Sequence, residues 1–372
     1  MGDQPSIGTS RRGGSAINTA IVTSPPRIDV TERVDRALRE FFDRQLDSDC
    51  ASGWPAVLLV TAQFVLGGGK RLRPQFCYWG WRGVGGGDCE AVITAAASLE
   101  MLHAYALIHD DIMDASDTRR GRPTVHRSLA GLHRHNGWRG ASERFGVNAA
   151  ILCGDLCGFW SDAMLHGCGL PAARLAAARP LLDRMRTELC AGQYFDLGEQ
   201  ASGGTVEGAL RVIRYKAARY TVERPLQLGG VLAGADPALV RAYSEYGIPI
   251  GEAFQLRDDV LGVFGDSALT GKSVLDDLRE GKAAVLMGLT RRAATPAQLA
   301  LIDRLHGDAD LDADGAAALR HTIMDTGALD RVESMIEERT AAALTALDRA
   351  ALADEARVAL RDLAILATHR QA

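Results

Sequence analysis

An all-α fold is what this sequence predicts, and three observations predict it. Apolar residues recur at spacings of three and four from Val30 almost to the C-terminus. The stretch from Cys89 to Asp114 contains neither Gly nor Pro and is rich in Ala, Leu and Met, the composition of a long buried helix. Long alternating runs of β-branched residues, which would mark strands, are missing from the sequence.

The elements follow from local signals. Residues 1–28 are rich in Gly, Ser, Thr and Pro and read as a disordered tail, leaving 29–372 as one domain. Arg11-Arg12 invites a twin-arginine export reading, but the apolar stretch Ala16–Val22 is short and broken by Asn18 and Thr19, so no signal core follows. Val34, Leu38, Phe41 and Phe42 mark a first helix ending near Leu46. A second runs from Trp54 to Leu66 and stops at Gly67-Gly68-Gly69. A third starts at Pro74 and ends in the Gly83–Gly87 loop, after which Asp88 is the expected N-cap of the long helix. Further helices are expected over 143–167, 171–197, 205–233, 236–265, 281–292 and 296–307, with two or three more in 313–370. Loops are expected at Gly131–Gly140, Gly203–Gly204 and Asp308–Gly315. No segment reads as the ~20 apolar residues of a membrane span.

Composition excludes some classes. Hydrophobic residues make up 47% of the 372, enough for a sizeable core. With 42 basic against 47 acidic residues, net charge −5, the chain lacks the basic excess of a nucleic-acid binder. An anionic ligand must therefore be held by local clusters. The seven cysteines are scattered without a Cys-x-x-Cys pair, which fits reduced thiols in a cytoplasmic protein.

Local clusters are present. Asp110 and Asp114 lie four apart and share one face of the long helix, and Asp117 shares it if the helix continues. Like charges at that spacing repel, and aspartates at a helix C-terminus oppose the macrodipole. Such a helix end needs cations, and oxygen-only ligands suit Mg²⁺ bridging carboxylates to phosphates. The pattern Ile108-His109-Asp110-Asp111 is echoed by Leu256-Arg257-Asp258-Asp259, again after an apolar helix.

Basic groups accompany them. Gly67–Arg73 sets Lys70, Arg71 and Arg73 beside a glycine loop; it lacks the order of a Walker A loop. Arg119, Arg120 and Arg122 follow the first acidic cluster directly. Carboxylates for a metal and guanidiniums for phosphate oxygens are what a metal-bound diphosphate requires. Lys216, Lys272 and Lys282 lie on or after the later helices, and His103 stands seven residues before Asp110, on the same face.

Together the segments GGGKRLRP (67–74), HDDIMDASDTRRGRPTVH (109–126), ILCGDL (151–156), YKAARYT (215–221), FQLRDDVLGVFGD (254–266) and TGKSVLDDLREGK (270–282) resemble the trans-isoprenyl diphosphate synthases, in family order. The resemblance implies an all-helical homodimer, each subunit a single-domain bundle around a deep central cavity, using isopentenyl diphosphate and an allylic diphosphate. It implies that Asp110, Asp111, Asp114, Asp258 and Asp259 hold two or three Mg²⁺ ions. It implies that Lys216, Lys272, Lys282 and Arg119 contact the allylic diphosphate with Gln255 beside them, and that Lys70, Arg73, His103 and Arg120 bind isopentenyl diphosphate. Two departures stand out: Gly262 replaces the third aspartate many relatives carry, and Ala217 replaces a hydroxyl residue after the motif lysine.

Product length is expected to depend on the residues one turn before Asp110, namely Tyr105 and Ala106. Tyr105 is aromatic, whereas Ala106 leaves space, a pattern resembling geranylgeranyl diphosphate (C20) synthases, with farnesyl diphosphate (C15) as the alternative. A class I terpene cyclase has no use for a second diphosphate site, and a non-catalytic subunit would be expected to lose its aspartates.

Overall fold

The computed structural model describes residues 29–47, 54–265, 275–282 and 284–368. The tail expected at 1–28 lies outside the described residues. Helices α1 (Val30–Leu46), α2 (Pro55–Leu66), α3 (Leu72–Gly83) and α4 (Glu90–Met113) come first. A two-residue hairpin follows, β1 (Thr118–Arg119) against β2 (Arg122–Pro123). Then come α5 (Val125–His135), α6 (Ser142–His166), α7 (Ala172–Ser202), α8 (Val206–Val212), a π-helix (Ile213–Glu223), α9 (Arg224–Ala233) and α10 (Pro237–Phe264). After the short α11 (Asp276–Arg279) the chain closes with α12 (Val285–Ala293), α13 (Pro296–Leu305), α14 (Ala313–Asp325), α15 (Ala328–Arg349) and α16 (Asp354–Thr368). The all-α expectation holds.

Helix α4 is the axis of the fold. One side, with Ile93, Ala97, Met101, Ala104 and Ile108, packs into a core shared with α1, α6 and α10. The other side, with Ala95, Leu99 and Leu102, packs into a second core shared with α7 and α9. A helix buried on both sides has no polar stripe. By length and composition alone Glu90–Met113 is apolar enough to cross a membrane, contrary to the expectation that no segment qualifies, and its burial makes it a core helix. A third core joins α10 to α12, α14 and α15.

Several boundaries differ from expectation for local reasons. Helix α3 starts at Leu72, so Pro74 sits in its first turn, where an N–H has no intrahelical partner to lose. Asp88 does not cap α4; its carboxylate takes Arg33 Nη1 at 2.7 Å and the Tyr78 hydroxyl at 3.1 Å. Helix α5 runs through Gly131 to His135, which confines the expected loop to its end. Helix α4 stops at Met113, so Asp117 leaves the face of Asp110 and pairs with Arg127 at 2.6 Å. The helix expected at 281–292 begins only at Val285. The stretch expected as one helix at 205–233 is helical throughout, but its middle turns are π, a form often found at functional sites.

Candidate active site

The C-terminal end of α4 presents its carboxylates to a ring of cations. Lys216, carried by the π-helix, places Nζ 2.8 Å from Asp110 Oδ1 and 2.7 Å from Asp196 Oδ2 on α7. Arg119, on the hairpin, donates from Nε to Asp111 Oδ1 at 2.7 Å, and its Nη2 lies 3.7 Å from Asp110 Oδ2. Burial pushes the Asp110 carboxyl up, but Lys216, Arg119 and Lys282 outweigh it and hold it below the usual carboxylate range. At Asp114 the balance reverses: burial first, then the charge of Asp110, outweigh Lys216 and Lys282 and push it up to about 6.

Helix α10 supplies the opposing wall. Gln255 Nε2 donates to Asp259 Oδ1 at 2.9 Å, and Asp258 is half-buried beside it. Burial, then Asp258 and Asp277, push the Asp259 carboxyl up to about 8. Lys282 Nζ lies 2.8 Å from Asp277 Oδ1 and 2.9 Å from Glu280 Oε2. Its charge acts on Asp110, Asp114 and Asp259 alike, so it is within electrostatic reach of both acidic ends. Lys272 lies outside the described residues.

A second basic pocket lies beside the first. Arg73 Nη2 donates to Thr221 Oγ1 at 2.8 Å, and its guanidinium stacks 4.5 Å from the Tyr220 ring centroid. Arg120 donates to the Gly68 carbonyl, bringing the hairpin to the glycine loop. Lys70 is exposed on that loop. His103 is held well below its ordinary pKa by burial and then by Arg73, Arg120, Arg119 and Arg71, so its ring is neutral at pH 7. Arg73 Nε and His103 Nδ1 are sheltered yet have no hydrogen-bond partner in the protein, an arrangement that leaves polar groups for a ligand.

Sequence reasoning missed three contributors, Asp196, Asp277 and Tyr220, and the anchoring role of a fourth residue, Arg71, that it had set beside the glycine loop. Asp196 shares Lys216 with Asp110, and only the crossing of α7 and the π-helix reveals it. Asp277 packs against α10. Tyr220 floors the Arg73 guanidinium. Arg71 is almost fully buried, with bonds to Asp35 (2.8 Å), Glu100 (2.7 Å) and the Val65 carbonyl (3.0 Å). The three non-glycine residues with positive φ, among those described, are Arg71 (47°), Ala115 (52°) and Arg120 (53°). All three flank these pockets, as strained backbone tends to do; the signal in the sequence is only that each sits in or beside a charged motif.

Tyr105 and Ala106 lie half-buried one turn further along α4. His109 turns away from the pocket: its Nδ1 is 2.9 Å from the Tyr105 carbonyl and its Nε2 is 3.5 Å from Asp155 Oδ1.

The donor set suits a hard divalent cation. Asp111 Oδ2 is buried without a partner, and Asp114 and Asp259 carry disfavoured charge that a cation would relieve. Among the described residues no three His, Cys, Asp or Glu side chains close around one ion unaided. Mg²⁺ keeps waters and takes phosphate oxygens as ligands beside one or two carboxylates. Among the described residues the cysteines are free thiols.

The polyprenyl synthetase family profile matches residues 56–323. A geranylfarnesyl diphosphate synthase of Aeropyrum pernix is 34% identical over 280 residues, covering 74% of this chain and 81% of that one. A geranylgeranyl diphosphate synthase of Methanosarcina mazei is 30% identical over 268 residues, covering 72% of this chain and 76% of that one. Among solved structures, a geranylgeranyl pyrophosphate synthase of Corynebacterium glutamicum, complexed with isoprenyl diphosphate and magnesium, superposes with a TM-score of 0.88 at 42% identity, covering 92% of this chain and 99% of that one.

Proposed function

The chain belongs to the polyprenyl synthetase family, and from that premise we propose that it is a short-chain trans-isoprenyl diphosphate synthase. It condenses isopentenyl diphosphate with an allylic diphosphate and makes geranylgeranyl diphosphate (C20). One observation carries the reading: α4 ends on Asp110, Asp111 and Asp114, α10 carries Asp258 and Asp259 near its own end, and Arg73 and His103 keep sheltered polar atoms that have no partner in the protein. That is room for two diphosphates of different kind, which a terpene cyclase does not need.

Asp110, Asp111, Asp114, Asp258 and Asp259 would hold Mg²⁺, which when bound supplies positive charge to phosphate oxygens and eases departure of the diphosphate. Lys216, Arg119, Lys272 and Lys282 orient the allylic diphosphate and steady the same developing charge, with Gln255 fixing Asp259. Lys70, Arg73, His103 and Arg120 hold isopentenyl diphosphate. The allylic C1–O bond breaks and its electron pair leaves with the diphosphate. C4 of the isopentenyl double bond bonds to C1, C2 gives its proton to the released diphosphate, and the double bond re-forms between C2 and C3. No side-chain base is required. The apolar walls of α4 keep water from the allylic cation.

Tyr105 floors the elongation channel, and Ala106 leaves the space that favours C20 over C15. Exposed apolar residues on α6 and α7, with Leu152 58%, Phe159 70% and Tyr194 74% accessible, support a homodimer. A cytoplasmic location fits the free thiols. Purified protein with Mg²⁺, dimethylallyl diphosphate and labelled isopentenyl diphosphate is expected to give C20 product. Absence of incorporation would overturn the enzyme assignment, and a pure C15 product the length.

A further inference from the structure

Beneath Tyr105, on the side away from Asp110, lies a cavity of 220 Å³ between α4, α6 and α7. Its roof is a fixed ring. Cys190 of α7 lines the cavity beside it. The His109 ring packs at 4.7 Å between centroids. Helix α6 presses from below at Gly158, where a Cβ would fall 3.3 Å from Tyr105 Cδ2. Any side chain at 158 would push the ring toward the substrate channel.

The far wall is of another kind. Leu102 and Leu189 give it apolar sides, but its end is an ion pair, Arg186 Nη2 to Asp162 Oδ1 at 2.6 Å, joining α7 to α6. Tyr105 and Leu102 are separated by three residues of helix, or about 4.5 Å along the axis. An isoprene unit spans roughly one helical turn of ~5.4 Å. From the level of Tyr105 to that of Leu102 the cavity thus offers about the length of one further C5 unit, and Asp162 and Arg186 line it beyond Gly158. Driving hydrocarbon against that pair would strip water from both ions without replacing their solvation.

We propose that this cavity is a second tier of the length ruler: Tyr105 sets the product of the native enzyme, and the Asp162–Arg186 pair sets the limit once Tyr105 is removed. The inference rests on the prenyl synthase reading above and adds two specificity-determining residues on helices that touch neither diphosphate pocket.

The test compares product lengths with those of the parent enzyme. Tyr105→Ala is expected to move the main product one C5 unit up and no further. Tyr105→Ala with Asp162→Ala and Arg186→Ala is expected to move it by two units or more. Asp162→Asn with Arg186→Met, which preserves volume, carries the same expectation in the Tyr105→Ala background should the alanine pair not fold, as judged by circular dichroism. Products two or more units longer from Tyr105→Ala alone, or an unchanged limit once the ion pair is gone, would overturn the second tier. Because each shift is read against the parent, a parent making C15 or C25 overturns the C20 assignment and leaves the tier test standing. A parent that incorporates no isopentenyl diphosphate overturns both.

Discussion

Gly262 and Asp277 compete for one volume: a Cβ built on Gly262 falls 1.8 Å from Asp277 Oδ2. The missing third aspartate of the second acidic cluster is thus accounted for in space, because a carboxylate from α11 already occupies the ground beside position 262. Asp277 also receives Lys282 Nζ at 2.8 Å and adds to the charge that raises Asp259. Restoring the common residue with Gly262→Asp is therefore expected to harm the enzyme. The new side chain must turn Asp277 away, and Lys282 keeps only Glu280 of its two carboxylate partners. We expect weaker metal dependence of activity, by roughly tenfold, the scale for disturbing groups that orient ligands. A Mg²⁺ titration of rate measures it; an unchanged or improved midpoint would refute the exchange.

Lys216→Met removes the ammonium shared by Asp110 and Asp196. Two carboxylates then face each other without the cation that joined them, and Asp110, left with the more distant Arg119, loses the largest of the charges that keep it ionised. A loss in kcat of roughly 100-fold or more is expected, the scale of removing one positioned charge from a water-poor site. Steady-state kinetics at saturating substrates check it. An effect confined to KM would assign Lys216 to binding alone.

The sequence made the helices and the charge clusters legible because both depend on local spacing. Asp110 and Asp114 share a face by helical arithmetic, and Gly67–Gly69 ends a helix in any setting. Contacts between distant segments were hidden from it. Asp196 is an ordinary helix aspartate until α7 crosses the π-helix at Lys216. Gly262 looks like a loss until α11 places Asp277 beside it. Asp88 has the identity of an N-cap, but Arg33 and Tyr78 take its carboxylate away from the α4 backbone. The π-helix has no sequence signature of its own.

Asp114→Asn trades activity for stability. Without metal, Asp114 sits four residues from Asp110 near the negative end of α4, where its charge is opposed by burial and by its neighbour. Neutralising it is expected to raise the melting temperature of chelator-treated protein, by about 1 kcal/mol in stability. Prenyl transfer should fall at least ~100-fold, as for loss of a group that binds the reaction's charge. A melting temperature that drops in the metal-free protein would remove the claim that this helix end is strained by its carboxylates.

Acid sensitivity has an identifiable source away from the carboxylates. Burial first, then Arg291, hold His306 down at about 4 against the usual 6.5. The unfolded chain takes up a proton near pH 6.5 that the folded chain refuses, so stability is retained above that pH and falls as pH drops toward 4. The loss is at most about 3 kcal/mol. The difference between wild-type and His306→Gln melting profiles isolates it, since other groups titrate in both. Parallel profiles from pH 7 to 4 would exclude His306.

Arg71 is a structural anchor for the proposed isopentenyl diphosphate pocket. Its guanidinium is 2% exposed and bridges Asp35 on α1, Glu100 on α4 and the end of α2, with its own backbone left-handed at φ 47°. Those bonds fix the turn from which Lys70 and Arg73 diverge. Arg71→Met leaves Glu100, itself 5% exposed, charged and without its guanidinium, which is expected to cost about 3–5 kcal/mol. Pairing it with Glu100→Met removes both charges together and should recover most of that stability. The recovered protein separates fold from function. If Arg71 positions the loop, the double variant melts near the wild type but binds isopentenyl diphosphate more weakly, with KM raised roughly tenfold and kcat little changed, as for loss of uniform binding. A double variant with native KM would reduce Arg71 to a core ion pair with no part in the pocket.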